Sequence, residues 1–572
     1  MTLSAYPVLV ASASNQAYIF HTDKRRENVG ASGLLASVGE DWLDDALPGW
    51  QGQPDRAGGR PGRPERIEHD GREVVLHASG LVLALFAGRD DAVALVHALT
   101  TRCVEEAPGL DVCGIVGPQV ALDAAEFALP DVVRRLFDDL PAVRVARPSP
   151  ALRFQRIPIA AECSVSGLPA SGFSRSPDPA EQRRSAVSLA KLHGFAASRE
   201  RLCRAVGERG VDGGEFERIS DVLDGDTDAV EWVGIVHVDV NGLGLLLEGM
   251  AKLVEAAAGQ PPYRAYLDSY RTFSEEVDSC SWRALQAAVD DVAPRRPDEP
   301  QPGGSASRSP PPLVLPLVLA GDDVTLVADG RIAVELAASY LRQFEQLAAQ
   351  SSSIKRVLEH PLAPLHRLTA AAGVALVKPH FPFSQAYSLA DELKDVAKTA
   401  KEATDGKGPG LSALAFHVLY DSSDASWLRL RRTMTRRDAL GQDVLLTAQP
   451  YVTSLPAGAD EWSKAHDWGQ LQTWVRALHE VDPTTGRSAI PRGQMHELRA
   501  ALYRDREEAA HVFEMLRGNY PAAAALPDAL FWRDGRPDGS QSWLATTALD
   551  AMNVAPFCSP RPTRPSPEEA GP

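Results

Sequence analysis

Residues 315–327 read LPLVLAGDDVTLV. Two near-continuous apolar runs flank a short turn, a pattern typical of a hairpin whose strands are buried on both faces. Gly321 can supply the positive φ that such a turn often needs. Aspartate is a favoured turn residue, so a lone Gly-Asp-Asp usually marks only a hairpin. Asp322 and Asp323 are nevertheless adjacent anions that repel each other, and a turn needs only one of them. Joined by a third carboxylate from another strand, they would form the hard-oxygen site that Mg²⁺ prefers.

A candidate for that third carboxylate lies in the stretch GIVHVDVNGLG, residues 234–244. Strand side chains alternate between faces, so its valines are predicted to pack under helices. Asp239 then lies at the end of the strand, on the face opposite the helices. The turn that follows contains Asn241, Gly242 and Gly244, where backbone amides can approach a ligand closely. The alternative is that Asp239 only starts an Asx-type turn, because short motifs have many false positives.

The two stretches together are a stronger signal than either alone. In palm-type nucleotidyl transferases, a strand-end aspartate and an acidic pair on a hairpin hold two metal ions about 3.5–4 Å apart. Carboxylates suit this role because nitrogen and sulfur ligands prefer softer ions. Asp239, Asp322 and Asp323 are therefore the candidate catalytic and metal-ligating residues. They imply Mg²⁺ or Mn²⁺ as the cofactor and a nucleoside triphosphate as the substrate.

A third feature is the amphipathic helix predicted over residues 384–403. Three of its lysines are spaced by four and three residues, so they share one polar face. A lysine row is usually a solvated face, but one or two of these side chains could instead reach triphosphate oxygens beside the metal ions. On that alternative, the candidate nucleotide-binding residues are Asn241, Gly242, Gly244, Gly321, Lys394, Lys398 and Lys401.

Strands and helices alternate in one recurring order around these stretches. Residues 231–416 are predicted to run βαββαβ, and the first 150 residues repeat that order, with AVRVA at 142–146 as a closing strand. This is the ferredoxin-like arrangement. Only the second copy carries carboxylates on its hairpin, because the corresponding turn of the first copy is Ala78-Ser79-Gly80.

The rest of the chain divides by composition. Segments 48–65 and 294–312 are rich in Pro, Gly and charge, and are predicted to be exposed insertions. Beyond residue 424 helical spacing prevails and no further strand-rich unit is expected. The α+β chain is thus divided into a degenerate first unit at 1–150, a helical linker region at 151–230, a catalytic-type unit at 231–420 with the disordered insertion 294–312, a C-terminal helical domain at 421–556 and a disordered tail at 557–572.

Composition limits the kinds of partner. The 572 residues are 44% hydrophobic and 24% charged, enough for several cores. A formal net charge of −17 excludes a general attraction to nucleic acid or anionic lipid, so polyphosphate binding must be local. The 6 cysteines form no C-x-x-C pair, which fits a reducing cytosol. With no signal peptide and no apolar run of about 18 residues, the protein is expected to be soluble and cytoplasmic, with no membrane partner.

Residues 231–416 resemble the second palm domain of the large polymerase-like subunit of type III CRISPR effector complexes, itself a relative of GGDEF nucleotide cyclases. The resemblance is carried by HVDVNGLG and AGDD within the two acidic stretches, by the run AAGVALVKPHFPFSQAYSLADELKDVAK at 371–398, and by SALAFH at 412–417. The first domain also looks like that subunit's degenerate N-terminal palm, and the C-terminal helices resemble its terminal helical domain.

The resemblance implies two ferredoxin-like palm domains, the first degenerate. It also implies synthesis of cyclic oligoadenylate-type messengers from ATP, with a divalent metal, in antiviral defence. Asp322 and Asp323 match the acidic pair of the family's Gly-Gly-Asp-Asp turn, in which Ala320 replaces the first glycine, and Asp239 matches its strand-end carboxylate.

The implied partners are guide or target RNA and CRISPR-type subunits, and self-association into a homo-oligomer is a further option. Two alternative functions stay open. One is a non-catalytic palm scaffold of an RNA-guided complex, and the other is a diguanylate-type cyclase that prefers GTP to ATP.

Overall fold

A computed structural model of the chain describes most of its length. Residues 49–64 of the predicted insertion 48–65, the whole predicted insertion 294–312 and residues 559–572 of the predicted tail lie outside the described residues. The described ranges are 3–48, 65–123, 127–148, 150–175, 181–208, 230–254, 260–292, 314–401, 410–420, 425–438, 440–456, 458–535 and 542–558.

The N-terminal unit is an antiparallel sheet with helices between its strands. Its elements are β1 (Ser4–Ala13), α1 (Asn15–Phe20), α2 (Arg25–Ser37), α3 (Asp41–Ala46), α4 (Ile67–Asp70), β2 (Arg72–Ala78), β3 (Leu81–Phe86), α5 (Arg89–Glu106), β4 (Asp111–Val116), β5 (Val120–Ala121) and α6 (Leu129–Val145). The main strand order is β2-β3-β1-β4, with β5 added beside β1. That order is ferredoxin-like, as the βαββαβ pattern predicts. The hairpin turn at Ser79-Gly80 is also present, with Gly80 at φ 75°.

The expected closing strand at residues 142–146 is wrong, because most of this segment is the last turn of α6. The residues of α6 that are buried fall at helical spacing: Leu129, Val132, Val133, Leu136 and Leu140. The 3.6-residue period of α6 continues into AVRVA. It outweighs the short alternation of apolar and polar residues in AVRVA that predicted a strand.

The linker region contains more than helix. A two-stranded hairpin, β6 (Ala170–Ser174) and β7 (Gln182–Ser185), precedes the helix α7 (Ala186–Glu208). Helix α7 packs against α2 at Gly30, where an added Cβ would lie 1.8 Å from the carbonyl oxygen of Lys191. Small residues therefore allow the two helix backbones to approach closely and join the linker to the first unit.

The second unit repeats the same plan with extra strands. Its elements are β8 (Val233–Val240), α8 (Leu243–Leu253), α9 (Pro262–Val292), β9 (Val314–Ala320), β10 (Asp323–Asp329), α10 (Gly330–Gln350), α11 (Ser352–Leu358), β11 (Ala370–Val377), α12 (Phe383–Lys398) and β12 (Ala413–Val418). Strands β11-β8-β10-β9 form the ferredoxin-like core, and β12 lies parallel to β11 at its edge. The α+β fold with two such sheets is therefore confirmed.

Helices cover both faces of the second sheet. A Cβ added at Gly234 would lie 2.2 Å from Cβ of Ala333 in α10, and a Cβ added at Gly373 would lie 1.9 Å from the carbonyl oxygen of Ala390 in α12. Gly373 pairs with His237, which shares a strand face with Asp239. The expectation that Asp239 faces away from all helices is therefore wrong: α12, in the crossover from β11 to β12, covers that face.

The C-terminal part is not purely helical. Besides helices it contains a sheet with the order β13-β14-β17-β16, whose strands are only three or four residues long and so leave little pattern in the sequence. The elements are α13 (Trp427–Thr433), β13 (Thr435–Arg437), β14 (Asp443–Leu445), β15 (Tyr451–Val452), α14 (Glu461–Ala465), α15 (Trp468–His479), α16 (Arg492–Arg504), α17 (Arg506–Asn519), β16 (Trp532–Gly535), β17 (Ser542–Ala545) and α18 (Ala548–Val554).

One strand of this region belongs to the second unit, because β15 pairs with β12 and extends the palm-like sheet. Within the described ranges, no helix combines the length and apolar character needed to cross a membrane.

Candidate active site

Sheet register brings the three predicted carboxylates to one end of the second sheet. Strands β8 and β10 are antiparallel neighbours, and Asp239 is the direct cross-strand partner of Asp323. Residues paired in this way have Cβ atoms about 4.5–5.5 Å apart. Asp322 lies in the adjoining two-residue turn, and its carbonyl oxygen accepts a hydrogen bond from the amide of Val240 at 3.2 Å. The two acidic stretches are thus neighbours, as their combined pattern predicts.

The turn itself is held by helix α9. Gly321 has φ 61°, the left-handed conformation that glycine adopts without strain. Its carbonyl oxygen accepts a hydrogen bond from Ser281 Oγ at 2.6 Å, and its amide lies 3.4 Å from Asp278 Oδ1. Sequence reasoning missed both α9 residues, since no local pattern shows which helix face will meet a turn some 40 positions away in the chain.

The carboxylates carry unbalanced negative charge. Burial, followed by repulsion from Asp239 and Asp323, raises the pKa of Asp322 to about 6, although Lys398 opposes the shift. Burial also raises the pKa of Asp323, with repulsion from Asp239 adding to it and His237 acting against it. Ionising both groups is therefore costly in the protein alone, and a nearby cation would lower that cost.

The predicted lysine row divides between two roles. Lys398 Nζ forms an ion pair with Asp239 Oδ2. Lys394 is buried one turn earlier and lies 2.6 Å from Asp391 and 3.3 Å from Asp395. The structure therefore brings Lys398 to the carboxylates and holds Lys394 beside them in contacts of its own. The side chain of the third lysine, at position 401, lies outside the described residues.

A buried polar network links the site to α12, and its centre is His237, which is 1% exposed. The Nδ1 atom lies 3.1 Å from Thr325 Oγ1 and 3.5 Å from Asp323 Oδ1. The Nε2 atom lies 3.3 Å from Asp391 Oδ1 and 3.5 Å from the Tyr387 hydroxyl. The hydrogen bond from His237 and the contact with Lys394 lower the pKa of Asp391 well below its usual range. Strand alternation puts His237 on the same face as Asp239, but no local sequence pattern indicates its partners.

The glycine-rich turn after β8 is open to solvent at Gly244. Gly242 has φ 72° and precedes α8, and no described atom would come within 4 Å of a Cβ added at Gly244. Asn241 is fixed from its amide side, because its Nδ2 donates to Thr369 Oγ1 at 3.1 Å. The α8 N-terminus, with amides that lack intrahelical acceptors, therefore opens toward this end of the sheet.

The residues present fit a divalent cation. Asp323 Oδ1 and Asn241 Oδ1 are buried oxygens with no hydrogen-bond partner among the described residues. Carboxylate and amide oxygens are the donors that Mg²⁺ prefers. As placed, however, no three His, Cys, Asp or Glu side chains in the described ranges already form a metal-binding group. Among the described residues, the ammonium group of Lys398 contacts Asp239.

The N-terminal unit packs against α12 close to this network. Phe20 at the end of α1 stacks on Tyr387 with ring centroids 4.0 Å apart, and also contacts the ring of Phe383 at 5.7 Å. Asp23 accepts hydrogen bonds from the amide and the hydroxyl of Ser384. The first unit therefore touches the same helix that carries the residues around His237.

A ferredoxin-like sheet with a strand-end aspartate opposite an acidic hairpin defines the second unit as a palm domain. Residues 232–405 match the model of the Cas10/Cmr2 second palm domain. This segment is therefore similar in sequence to the second palm domain of Cas10/Cmr2.

Three solved structures illustrate what the chain resembles as a whole. The Csm1-Csm4 cassette in complex with cA4 matches at 11% identity and TM-score 0.46, covering 91% of this chain and 65% of that one. Csm1 in T. onnurineus matches at 13% identity and TM-score 0.46, with 92% and 65% covered. The Csm1-Csm4 subcomplex of the type III-A CRISPR-Csm interference complex matches at 12% identity and TM-score 0.45, with 90% and 64% covered.

The chain thus spans 64–65% of the length of these three structures. No curated protein sequence matches the chain.

Proposed function

We propose that the chain is a metal-dependent nucleotidyltransferase that joins ATP into cyclic oligoadenylate-type messengers in antiviral defence, alongside RNA and other CRISPR-type subunits. The observation that carries the proposal is the cross-strand pair of Asp239 and Asp323, with Asp322 in the adjoining turn. The match of residues 232–405 to the Cas10/Cmr2 second palm domain supports the same reading.

The proposed chemistry assigns a task to each group. Asp239, Asp322 and Asp323 would hold Mg²⁺ or Mn²⁺, which when bound acts as a Lewis acid on phosphoryl oxygens. The open space at Gly244 would accept a triphosphate, and the free amides at the start of α8 would donate to its oxygens. Lys398, which contacts Asp239, would pair with a phosphate oxygen. Lys394 would stay with Asp391 and support the helix that carries both lysines.

Product analysis tests the proposal. The purified chain is incubated with ATP, and separately with GTP, in the presence of Mg²⁺ or Mn²⁺, with and without target RNA and co-expressed complex subunits. Mass spectrometry then identifies the products. Wild type should yield adenylate oligomers, whereas the Asp322→Ala/Asp323→Ala variant should lose at least about 10²-fold in rate, as removal of charge-stabilising groups commonly does. A chain inert under every condition contradicts the proposal, and a preference for GTP would point to the diguanylate-type alternative.

A second candidate function is a non-catalytic palm scaffold of an RNA-guided complex. The ion pair between Lys398 and Asp239 favours it, because that pair neutralises one carboxylate without a metal. A scaffold should co-purify with RNA and small subunits and should bind ATP without turnover. In that case the Asp322→Ala/Asp323→Ala variant would assemble normally. Neither the variant nor the wild type would make a product from ATP.

A further inference from the structure

Asp323 is poorly restrained by its own surroundings. About one third of its side chain is exposed, yet its Oδ1 atom is buried and has no hydrogen-bond partner among the described residues. A carboxylate on a short hairpin can rotate about two torsions, and each wrong rotamer removes it from a shared ligand set. A neighbouring group must therefore fix the carboxylate's orientation if Asp323 is to bind the same metal ion as Asp239.

His237 is the group placed to do this. Its Nδ1 atom lies 3.5 Å from the buried oxygen of Asp323 and 3.1 Å from the Thr325 hydroxyl, on the strand next to its own. The register of β8 and β10 makes His237 and Thr325 direct partners, two positions from the pair of Asp239 and Asp323. Backbone pairing thus fixes the distance between the imidazole ring and the carboxylate.

The ring is itself locked from the other side. Its Nε2 atom faces Asp391 Oδ1 at 3.3 Å, and Asp391 in turn contacts the buried Lys394 at 2.6 Å. A core histidine with no further role needs one partner for each nitrogen, and a hydroxyl and a carbonyl would suffice. Here His237 lies between the carboxylates of Asp323 and Asp391, and Asp391 in turn contacts Lys394. Such burial is costly and gives the ring one fixed orientation.

We propose that His237 is a positioning residue, which holds Asp323 in the rotamer that serves as a metal ligand and is held in place by Asp391. The inference rests on the proposed function, since it gives a purpose to the orientation of Asp323. Groups that orient metal ligands in this way commonly change metal affinity by about 10- to 100-fold when they are removed.

The test measures Mn²⁺ alone, by electron paramagnetic resonance titration of the full chain without nucleotide. His237→Leu removes both ring nitrogens and should weaken Mn²⁺ binding by at least about 10-fold. His237→Asn keeps an N–H donor near the position of Nδ1 and should remain within about 3-fold of the wild type. Asp391→Asn removes only the charge on the far side of the ring, so its Mn²⁺ affinity should lie between those of the two histidine variants. This variant keeps the test usable if His237→Leu does not fold.

His466 offers a matched control elsewhere in the chain. It is also 1% exposed, with Nδ1 2.7 Å from the Ala448 carbonyl oxygen and Nε2 3.2 Å from Asp534. His466→Leu should therefore lower the thermal midpoint to a similar extent as His237→Leu. It should leave the Mn²⁺ affinity unchanged, since a loss of fold stability alone does not act on the carboxylates.

The outcomes separate this inference from the proposed function. Equal Mn²⁺ affinity in His237→Leu and wild type, or an equal loss in His466→Leu, overturns the inference and leaves the proposed function standing. A wild type that binds Mn²⁺ but makes no product from ATP overturns the proposed function, while the ranking of variants still supports the positioning role. A wild type that binds no Mn²⁺ overturns both.

Discussion

Lys398 contacts the carboxylate of Asp239, which would also bind a metal ion in the proposed function. The lysine contacts Asp239, and both side chains are a little over a quarter exposed. Two further carboxylates beside it have raised pKa values, because burial and mutual repulsion disfavour their charged forms. Lys398 therefore neutralises part of the charge that a divalent ion would neutralise more completely. Substituting the lysine should change metal and nucleotide binding in opposite directions.

Lys398→Met should tighten Mn²⁺ binding and weaken ATP binding. The metal no longer displaces an ammonium group, a partly exposed ion pair worth about 0.5–1 kcal/mol, so its Kd should fall by about 3-fold. ATP should lose a phosphate contact, raising its Kd by about 10-fold. Isothermal titration of Mn²⁺, and of ATP in the presence of Mn²⁺, measures both effects.

The control for that experiment is Lys355→Met, which removes an exposed lysine 3.7 Å from Glu359 on α11. Both affinities should stay at their wild-type values. If Lys398→Met lowers the affinity for Mn²⁺ and ATP alike, the lysine does not compete with the metal and its contact with Asp239 has another purpose.

At the scale of elements, α12 decides what surrounds the carboxylates. This helix presses directly on the sheet at Gly373, where an added Cβ would meet the carbonyl oxygen of Ala390 at 1.9 Å and the amide of Lys394 at 2.3 Å. Both neighbours are backbone atoms, so no side-chain rotation relieves the clash. Position 373 has to be glycine if α12 is to lie where Lys398 meets Asp239.

Gly373→Ala should displace α12 from the sheet. Overpacking of this kind costs about 1–3 kcal/mol, so urea unfolding should show that loss of stability. The shift should also separate Lys398 from Asp239 and reduce nucleotide turnover. Gly518→Ala on α17 is the matched control, because no described atom lies within 4 Å of its added Cβ. Equal stability of the two variants would show that the backbone of α12 does not pack this closely against Gly373.

Much of the two sheets was predictable from sequence for a simple reason. Buried strands are continuous apolar runs and their turns carry Gly, Ser or Asp, so LPLVLAGDDVTLV alone indicates the hairpin of β9 and β10. The strand-end position of Asp239 follows from the same alternation. These features depend on residues that are close together in the chain.

The parts that were missed depend on contacts between distant segments. Strand β14 pairs with β17 through Val444 and Leu544, a contact that no local period reveals. The placement of α12 over Asp239 depends on a crossover between parallel strands, and the hold of Ser281 on Gly321 depends on which face of α9 meets the turn. The candidate site was thus predictable as a set of carboxylates but not as a network with His237 and Asp391.

On the scale of the whole molecule, Asp550 ties the C-terminal helix α18 to the segment that leads into the palm sheet. Its carboxylate accepts hydrogen bonds from Thr447 Oγ1 at 3.0 Å, the Ala448 amide at 2.9 Å, Gln449 Nε2 at 3.2 Å and the Tyr451 hydroxyl at 2.7 Å. Burial nevertheless raises the pKa of Asp550 to about 6. The stability of this junction should therefore depend on pH.

Folding favours the protonated form of Asp550, because its pKa is raised above that of the unfolded chain. Its stabilising contribution is fully present below the unfolded pKa and is lost as pH rises through about 6. As the pH rises from 5 to 7.5, the free energy of unfolding of the wild type should fall by about 1.4 kcal/mol relative to that of Asp550→Asn, whose side chain does not titrate. Urea unfolding of both proteins at the two pH values measures the difference.

Asp131→Asn, which removes an exposed carboxyl on α6, controls for the loss of one charge and should follow the wild-type curve. If the difference in unfolding free energy between wild type and Asp550→Asn stays constant from pH 5 to 7.5, the carboxyl of Asp550 is ionised throughout that range. The four hydrogen-bond donors then outweigh the effect of its burial.

One contact between the two palm-like units is made by α1 and α12. Phe20 is buried and stacks on Tyr387 with ring centroids 4.0 Å apart, and the Tyr387 hydroxyl lies 3.5 Å from His237 Nε2. Ser32 of α2 also donates a hydrogen bond to the carbonyl oxygen of Leu317 in β9. The first unit carries no carboxylates on its hairpin, yet it braces the helix and the strand that flank the site. Loosening this contact should therefore lower the rate of ATP turnover as well as the stability of the fold.

Phe20→Leu keeps an apolar side chain in place and removes the ring stacking, which is worth about 0.5–1.5 kcal/mol. Phe513→Leu makes the same change in the C-terminal region, where Phe513 stacks on Trp474 at 5.5 Å. Both variants should lose similar stability in thermal unfolding. Only Phe20→Leu should reduce the rate of ATP turnover, by about 5-fold, since only its ring supports Tyr387 and the orientation of His237. If the two variants lose turnover in equal proportion, the first unit stabilises the fold without acting on the site.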